Sequence, residues 1–230
     1  MVLYFRGVTS PEPDRMDRAR QLSAQYVANG DPTGWFEQLY VEGRAGAAIV
    51  PWVRGMPNDI LVDWAAGRSG PGRKALVVGC GTGEDAEFLT GLGYAVTGFD
   101  IAPAAIAAAR ERNPHSTVDY QVADLTALPA SWSGAFDLVV EIYTLQPLYG
   151  EVRAKALAAV HEPAAPGGTL LVISFATTEA EPVRDPGMMP WPLTRAEVEL
   201  AGGPLRASSI DYFMGENPAL PRWRAEFTRD

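Results

Sequence analysis

The 230-residue chain has one cysteine and two histidines. A lone cysteine excludes a disulfide framework, and one cysteine with two histidines falls short of the four ligands of a structural zinc site. Basic residues are the scarcer charge: 19 Lys+Arg stand against 28 Asp+Glu, a net charge of −9. That balance argues against a nucleic-acid partner, whose phosphates need Lys and Arg. Long apolar runs are missing too. Stretches such as residues 101–109 fall far short of the roughly 20 residues that cross a membrane, so no membrane association is expected. Residues 1–7 are too short and too interrupted for a secretory signal, and a reducing, cytoplasmic location is expected.

What remains is ample material for a core. Hydrophobic residues make up 47% of the chain and charged residues 20%, which excludes wholesale disorder. The length suits one domain spanning 1–230, in three textures. Residues 1–72 are rich in aromatics and turn formers and are expected to form an N-terminal helical cap. Residues 73–176 alternate short apolar runs with alanine-rich stretches. Residues 177–230 open with a Pro-rich loop and end in two strand-like segments.

The middle region is the most readable. Apolar runs at 74–79, 94–100, 117–124, 136–142 and 169–175 suit strands, and helical spacing at 84–91, 103–110 and 151–161 separates most of them. Such alternation means βαβ units and a parallel sheet. In the tail, Thr194 and Glu197 have the capping-box spacing of a short helix that Gly202-Gly203 ends. Residues 205–213 and 222–228 then read as strands whose Pro/Gly/Asn connection is too short for a crossover helix. The expected fold is α/β: a doubly wound, seven-stranded, mostly parallel sheet with an antiparallel terminal strand pair at its edge.

The sharpest local pattern is Gly79-Cys80-Gly81-Thr82-Gly83, directly after the first strand. Glycines there let the backbone turn tightly and approach a ligand closely. Three readings stay open: a site for S-adenosylmethionine (SAM), a nucleotide site, or a merely structural turn. A dinucleotide fold wants G-x-G-x-x-G, but the position three after Gly81 is Glu84. Glu84 and Asp85, in the first helical turn, repel a phosphate and tolerate a ligand's ammonium. Asp100 and Asp124 end the second and third strands, at the edge where open α/β sheets bind ligands. The first is placed for ribose hydroxyls, the second for an adenine amino group with the next residue, Leu125, packing on the ring.

The segments VVGCGTGEDAEFL, GFDIAPAAIAAAR, VADL and PGGTLLVIS, in order between about 74 and 176, resemble the class I SAM-dependent methyltransferases. That resemblance implies a Rossmann-like fold, SAM as cofactor and S-adenosylhomocysteine as product. It implies that Gly79, Gly81 and Gly83 line the methionine and ribose. Asp100, with Ile101 beside it, would hold the ribose, and Asp124 with Leu125 the adenine. Position 141 borders the cofactor in that family and is Glu141 here. A narrower resemblance lies upstream. PWVRGMP at 51–57, preceded by WFEQLY at 35–40, looks like the thiopurine, thiol and halide methyltransferase branch, with its P-W-D-x-G-x-P ahead of G-C-G-x-G-x-D. Pro51, Trp52, Gly55, Pro57 and Asp85 match, whereas Val53 stands where that branch has Asp, which leaves the substrate class open. Trp35, in the cap segment, joins Asp85 as a further cofactor candidate.

The acceptor should lie above the sheet, walled by cap aromatics, residues 141–147 and the loop 177–192. Tyr143, Glu141 and Tyr40 are the candidate catalytic residues, Glu141 as a base if an apolar setting raises its pKa. Trp52, Gln146, Trp191 and again Tyr143 are candidate substrate contacts. His115 and His161 both fall away from this edge. Without a histidine base the acceptor should ionise readily, as a thiol with pKa about 8.5 does. The expected function is S-methylation of a small molecule. The alternatives are O- or N-methylation of an aromatic metabolite, or a SAM-binding sensor or partner subunit without catalysis. No carboxylate cluster assembles for a metal.

Overall fold

The structure, a computed structural model, describes residues 16–214 and 220–230. The expectation for residues 1–7, and most of the connection between the last two strands, lie outside these.

Strand β1 is Lys74–Val78. Its apolar residues divide between two faces. Ala75 and Val77 join one buried cluster, Leu76 and Val78 the other. A strand covered by helices on both faces must be apolar on both. Strands β2 (Ala95–Asp100), β3 (Asp119–Val122), β4 (Phe136–Ile142) and β5 (Ala164–Phe175) run parallel to it. With β6 (Arg206–Phe213) and β7 (Arg222–Thr228) they form one sheet of order β3-β2-β1-β4-β5-β7-β6. The doubly wound, seven-stranded fold is therefore as read from the sequence. β3 is shorter than expected, because its partner β2 ends at Asp100, opposite Val122.

The terminal pair is antiparallel, but β7 rather than β6 pairs with β5. The burial pattern explains the placement. β7 buries alternate residues Trp223, Ala225 and Phe227, whereas no residue of β6 is fully buried. The better-patterned strand takes the interior position.

Helices α3 (Asp59–Trp64), α4 (Glu84–Gly91) and α5 (Pro103–Arg112) cover the Ala75/Val77 face. Helices α6 (Gly150–Ala159) and α7 (Arg195–Gly202) cover the other. The capping box forms: the Thr194 hydroxyl accepts from the Glu197 N–H at 3.1 Å, and the Glu197 carboxylate accepts from the Thr194 N–H at 2.9 Å. The cap comprises α1 (Asp17–Ala28) and α2 (Gly34–Arg44). It has a small core of its own, in which Ala19, Leu22, Trp35 and Leu39 meet Met189 and Trp191 from the loop before α7. The cap thus sits over the carboxyl edge of the sheet, where such folds place their ligands. Among the described residues no helix is long and apolar enough to cross a membrane.

Candidate active site

The chain must turn at once from β1 into α4. Gly79, Gly81 and Gly83 do this with φ of +60°, +55° and +94°, a region that side-chain-bearing residues avoid. A Cβ at Gly79 would collide with the Thr144 side chain, and one at Gly81 would lie 2.9 Å from the Tyr40 hydroxyl. Asp100 fastens the turn: one carboxylate oxygen accepts from the Gly81 N–H at 3.0 Å, the other from the Ala102 N–H at 3.0 Å. Burial pushes its carboxyl up to about 6, against the pull of those N–H groups. Each oxygen keeps lone-pair capacity for a ligand hydroxyl. Asp124 resembles it. One of its oxygens accepts from the Thr126 N–H at 2.7 Å and hydroxyl at 2.8 Å.

These residues open onto one cavity of about 320 Å³, within the range of small-molecule sites. Gly79, Gly81, Asp85, Asp100, Ile101, Asp124 and Leu125 line it, together with Tyr40 and Trp52 from the cap. The Trp52 indole N–H donates to the Tyr40 hydroxyl at 2.7 Å, so the two rings close over the glycine turn as a unit. Burial, with the Asp100 charge nearby, holds the Tyr40 phenol well above its ordinary pKa. Asp85 accepts from the Asn58 N–H at 2.7 Å, and burial raises its carboxyl to about 6.

Tyr143 lines the same cavity. It is the only non-glycine with positive φ, +58°, among the described residues. Such conformations persist where surroundings enforce them, and they cluster at active sites. Its ring stacks on Phe175 with centroids 5.0 Å apart, and its hydroxyl accepts from Arg222 Nε at 2.8 Å. Burial raises the phenol pKa, opposed by the Arg222 charge. Gln146 also lines the cavity, and its side-chain oxygen accepts from the Phe175 N–H at 2.8 Å.

Four expected site residues lie off the cavity wall. Trp35 is fully buried; it stacks on Phe36 at 3.9 Å, and the Phe36 ring takes the place at the wall. Trp191 is buried against Tyr149, its indole N–H on the Asp185 carbonyl at 2.9 Å, and Met189 and Pro190 line the cavity instead. Gly83 faces the Tyr120 hydroxyl. Glu141 is fully buried and points beneath the turn after β4, where it accepts from the Thr144 and Leu145 N–H groups at 2.7 and 2.9 Å. It braces the Tyr143 turn and does not line the cavity. Residues the sequence did not mark are Phe36, Asn58, Phe175 and Arg222.

Burial pushes Glu141 up to about 7, against the pull of its N–H donors and of Arg153. Its folded pKa thus exceeds its unfolded one. The stability this gives is full below the ordinary carboxylate pKa and fades as pH rises through 7. Glu141→Gln should therefore gain about 1–2 kcal/mol on the natural protein between pH 5 and pH 8 in urea unfolding. Parallel stability curves for the two proteins would refute this.

Comparison with known proteins agrees with the geometry. Residues 76–172 match the family described as "Methyltransferase domain". The chain is 34% identical over 127 residues to the ubiquinone biosynthesis O-methyltransferase of Xanthomonas campestris pv. campestris, covering 54% of this chain and 52% of that protein. It therefore spans about half the length of the curated relatives that head the comparison. It is 25% identical over 217 residues to the probable thiol methyltransferase 2 of Arabidopsis thaliana, covering 90% of this chain and 88% of that one. The N-methyltransferase NodS of Bradyrhizobium japonicum, solved with S-adenosylhomocysteine, shares the fold at a TM-score of 0.60 and 19% identity, covering 93% of this chain and 99% of that one. The fold is Rossmann-like, and its central residues 76–172 are similar to a methyltransferase domain.

Proposed function

We propose that the protein is a SAM-dependent methyltransferase of small molecules, with a thiol as acceptor. One observation carries this reading. A single cavity joins a glycine-turn cradle, with two strand-end aspartates, to an aromatic end that holds no imidazole. His115 and His161 are absent from its wall; His161 packs against Gly203, behind the sheet's far edge. The fit to the cofactor rests on Asp100 and Asp124, each with lone pairs to spare, and on the glycines whose Cβ positions are closed by Thr144 and Tyr40.

Bound there, SAM supplies an electrophilic methyl group for in-line displacement. The chain's own task is alignment and exclusion of water. Asp100 and Asp124 fix the donor, Tyr40 and Trp52 cover it, and Tyr143 and Phe175 wall the acceptor. Alignment of this kind supplies roughly 7–11 kcal/mol. With no histidine at the site, the acceptor supplies a nucleophile that ionises near neutral pH. Likeness to a thiol methyltransferase over most of both chains supports sulfur. Likeness to the ubiquinone enzyme supports a second reading, O-methylation of an acidic phenol. The single cysteine, buried and free, supports a reducing compartment such as the cytoplasm.

The test is S-adenosylhomocysteine formation from SAM with a panel of thiols, phenols and heteroaryl amines. Turnover with thiols above the rest is expected. Binding of SAM with no product from any compound would leave a non-catalytic binding protein instead. On the best acceptor, Tyr143→Phe should lower kcat roughly 5- to 20-fold with SAM affinity within about twofold of the natural protein. Identical kinetics would remove the Tyr143 hydroxyl from the mechanism.

A further inference from the structure

We propose that Arg222 is an anion site that selects acceptors carrying a carboxylate; this rests on the methyltransferase reading above. Arg222 is the first residue of β7 and pairs in register with Phe175, the last of β5. The pairing brings its side chain to the carboxyl edge of the parallel strands, on the cavity wall beside Tyr143. The guanidinium is held there twice. Its Nε donates to the Tyr143 hydroxyl at 2.8 Å, and its carbon lies 5.7 Å from the Phe175 ring centre. That uses one of five N–H donors.

Among the described residues no carboxylate comes within ion-pair distance of Arg222. The contrast with its neighbours is direct. Arg224, two residues on, pairs with Asp211 at 3.0 Å, and the buried Arg153 pairs with Glu197 at 2.7 Å. The cavity's own acids are engaged elsewhere. Glu84 pairs with Arg112 at 3.4 Å, Asp85 takes the Asn58 N–H, and Asp100 and Asp124 take loop donors. Arg54, also on the wall, differs from Arg222 in that its charge acts on the Asp85 carboxylate.

Arg222 is thus a guanidinium on the cavity wall that no carboxylate among the described residues pairs with. A half-buried cation on an apolar wall is unfavourable until an anion completes it. Its planar fork matches a carboxylate with two parallel hydrogen bonds. The stacked Tyr143 and Phe175 rings beside it suit a flat, aromatic body joining carboxylate to nucleophile.

The test is calorimetric titration of the S-adenosylhomocysteine-loaded protein with 4-mercaptobenzoate, its methyl ester and thiophenol. The carboxylate should bind at least roughly tenfold tighter than the ester. Arg222→Gln should abolish that preference and Arg222→Lys should keep part of it, with S-adenosylhomocysteine affinity unchanged in both. Equal affinity for acid and ester, or a preference that survives Arg222→Gln, overturns the site. Turnover separates this proposal from the one it rests on. Equal methylation of acid and ester sinks the anion site and leaves the methyltransferase reading intact. Arg222-dependent binding of the acid with no methylated product upholds the anion site and sinks S-methylation.

Discussion

Arg153→Ala should lower the unfolding free energy by about 3 kcal/mol, the low end of the loss when a buried ion pair is broken, because Glu197 keeps a second cation. The side chain of Arg153 is 5% exposed, and its Nε donates to Glu197 at 2.7 Å. One Nη donates to the carbonyls of Leu145 and Gln146 at 3.1 and 3.2 Å, the other to that of Trp191 at 3.4 Å. One guanidinium thus ties α6, the turn after β4, the loop before α7 and α7 itself. Removing it takes a donor from three carbonyls, of which Leu145 and Gln146 keep the Leu148 and Trp191 N–H groups, and leaves Glu197 with Arg184, at 2.7 Å, as its remaining cation. Arg153→Lys should recover little, since an ammonium cannot reach in several fixed directions at once. Urea unfolding followed by circular dichroism checks this, and a loss below about 1 kcal/mol would show that the network carries no weight.

Asp100→Ala should weaken SAM binding by about 2–4 kcal/mol, roughly 30- to 1000-fold in Kd. The carboxylate works in two directions, since its oxygens anchor the Gly81 and Ala102 N–H groups and face the cavity. Its loss removes bonds to the ligand and frees the turn that shapes the cradle. Asp100→Asn keeps one acceptor oxygen and should fall between the two proteins. Calorimetry that finds the alanine variant within threefold of the natural affinity would overturn the ribose assignment.

The difference between what was legible in the sequence and what was not follows the range of the interactions. The glycine turn, the Thr194–Glu197 capping box and the two-faced strands were legible because a few adjacent residues determine each. Side-chain aim was less so. Trp35 and Phe36 are neighbours on α2, and helical rotation of about 100° decides that the smaller ring meets the cavity. Trp191 likewise gives up its expected place at the wall to Met189, two positions earlier. Glu141 was read as bordering the cofactor, yet its carboxylate finds donors in the turn above it. Arg222 had no local signature. It meets Tyr143, 79 residues earlier in the chain, only because β7 inserts beside β5.

That insertion also orders assembly. The strands that shape the donor cradle, β1 to β4, pair among residues 74–142. They emerge and can associate early in synthesis. β5 and β6 leave a slot that only the later β7 fills. The wall that carries Arg222 therefore waits on β7, which emerges after every other strand of the sheet. On this order the glycine-turn cradle can form before Arg222 reaches Tyr143.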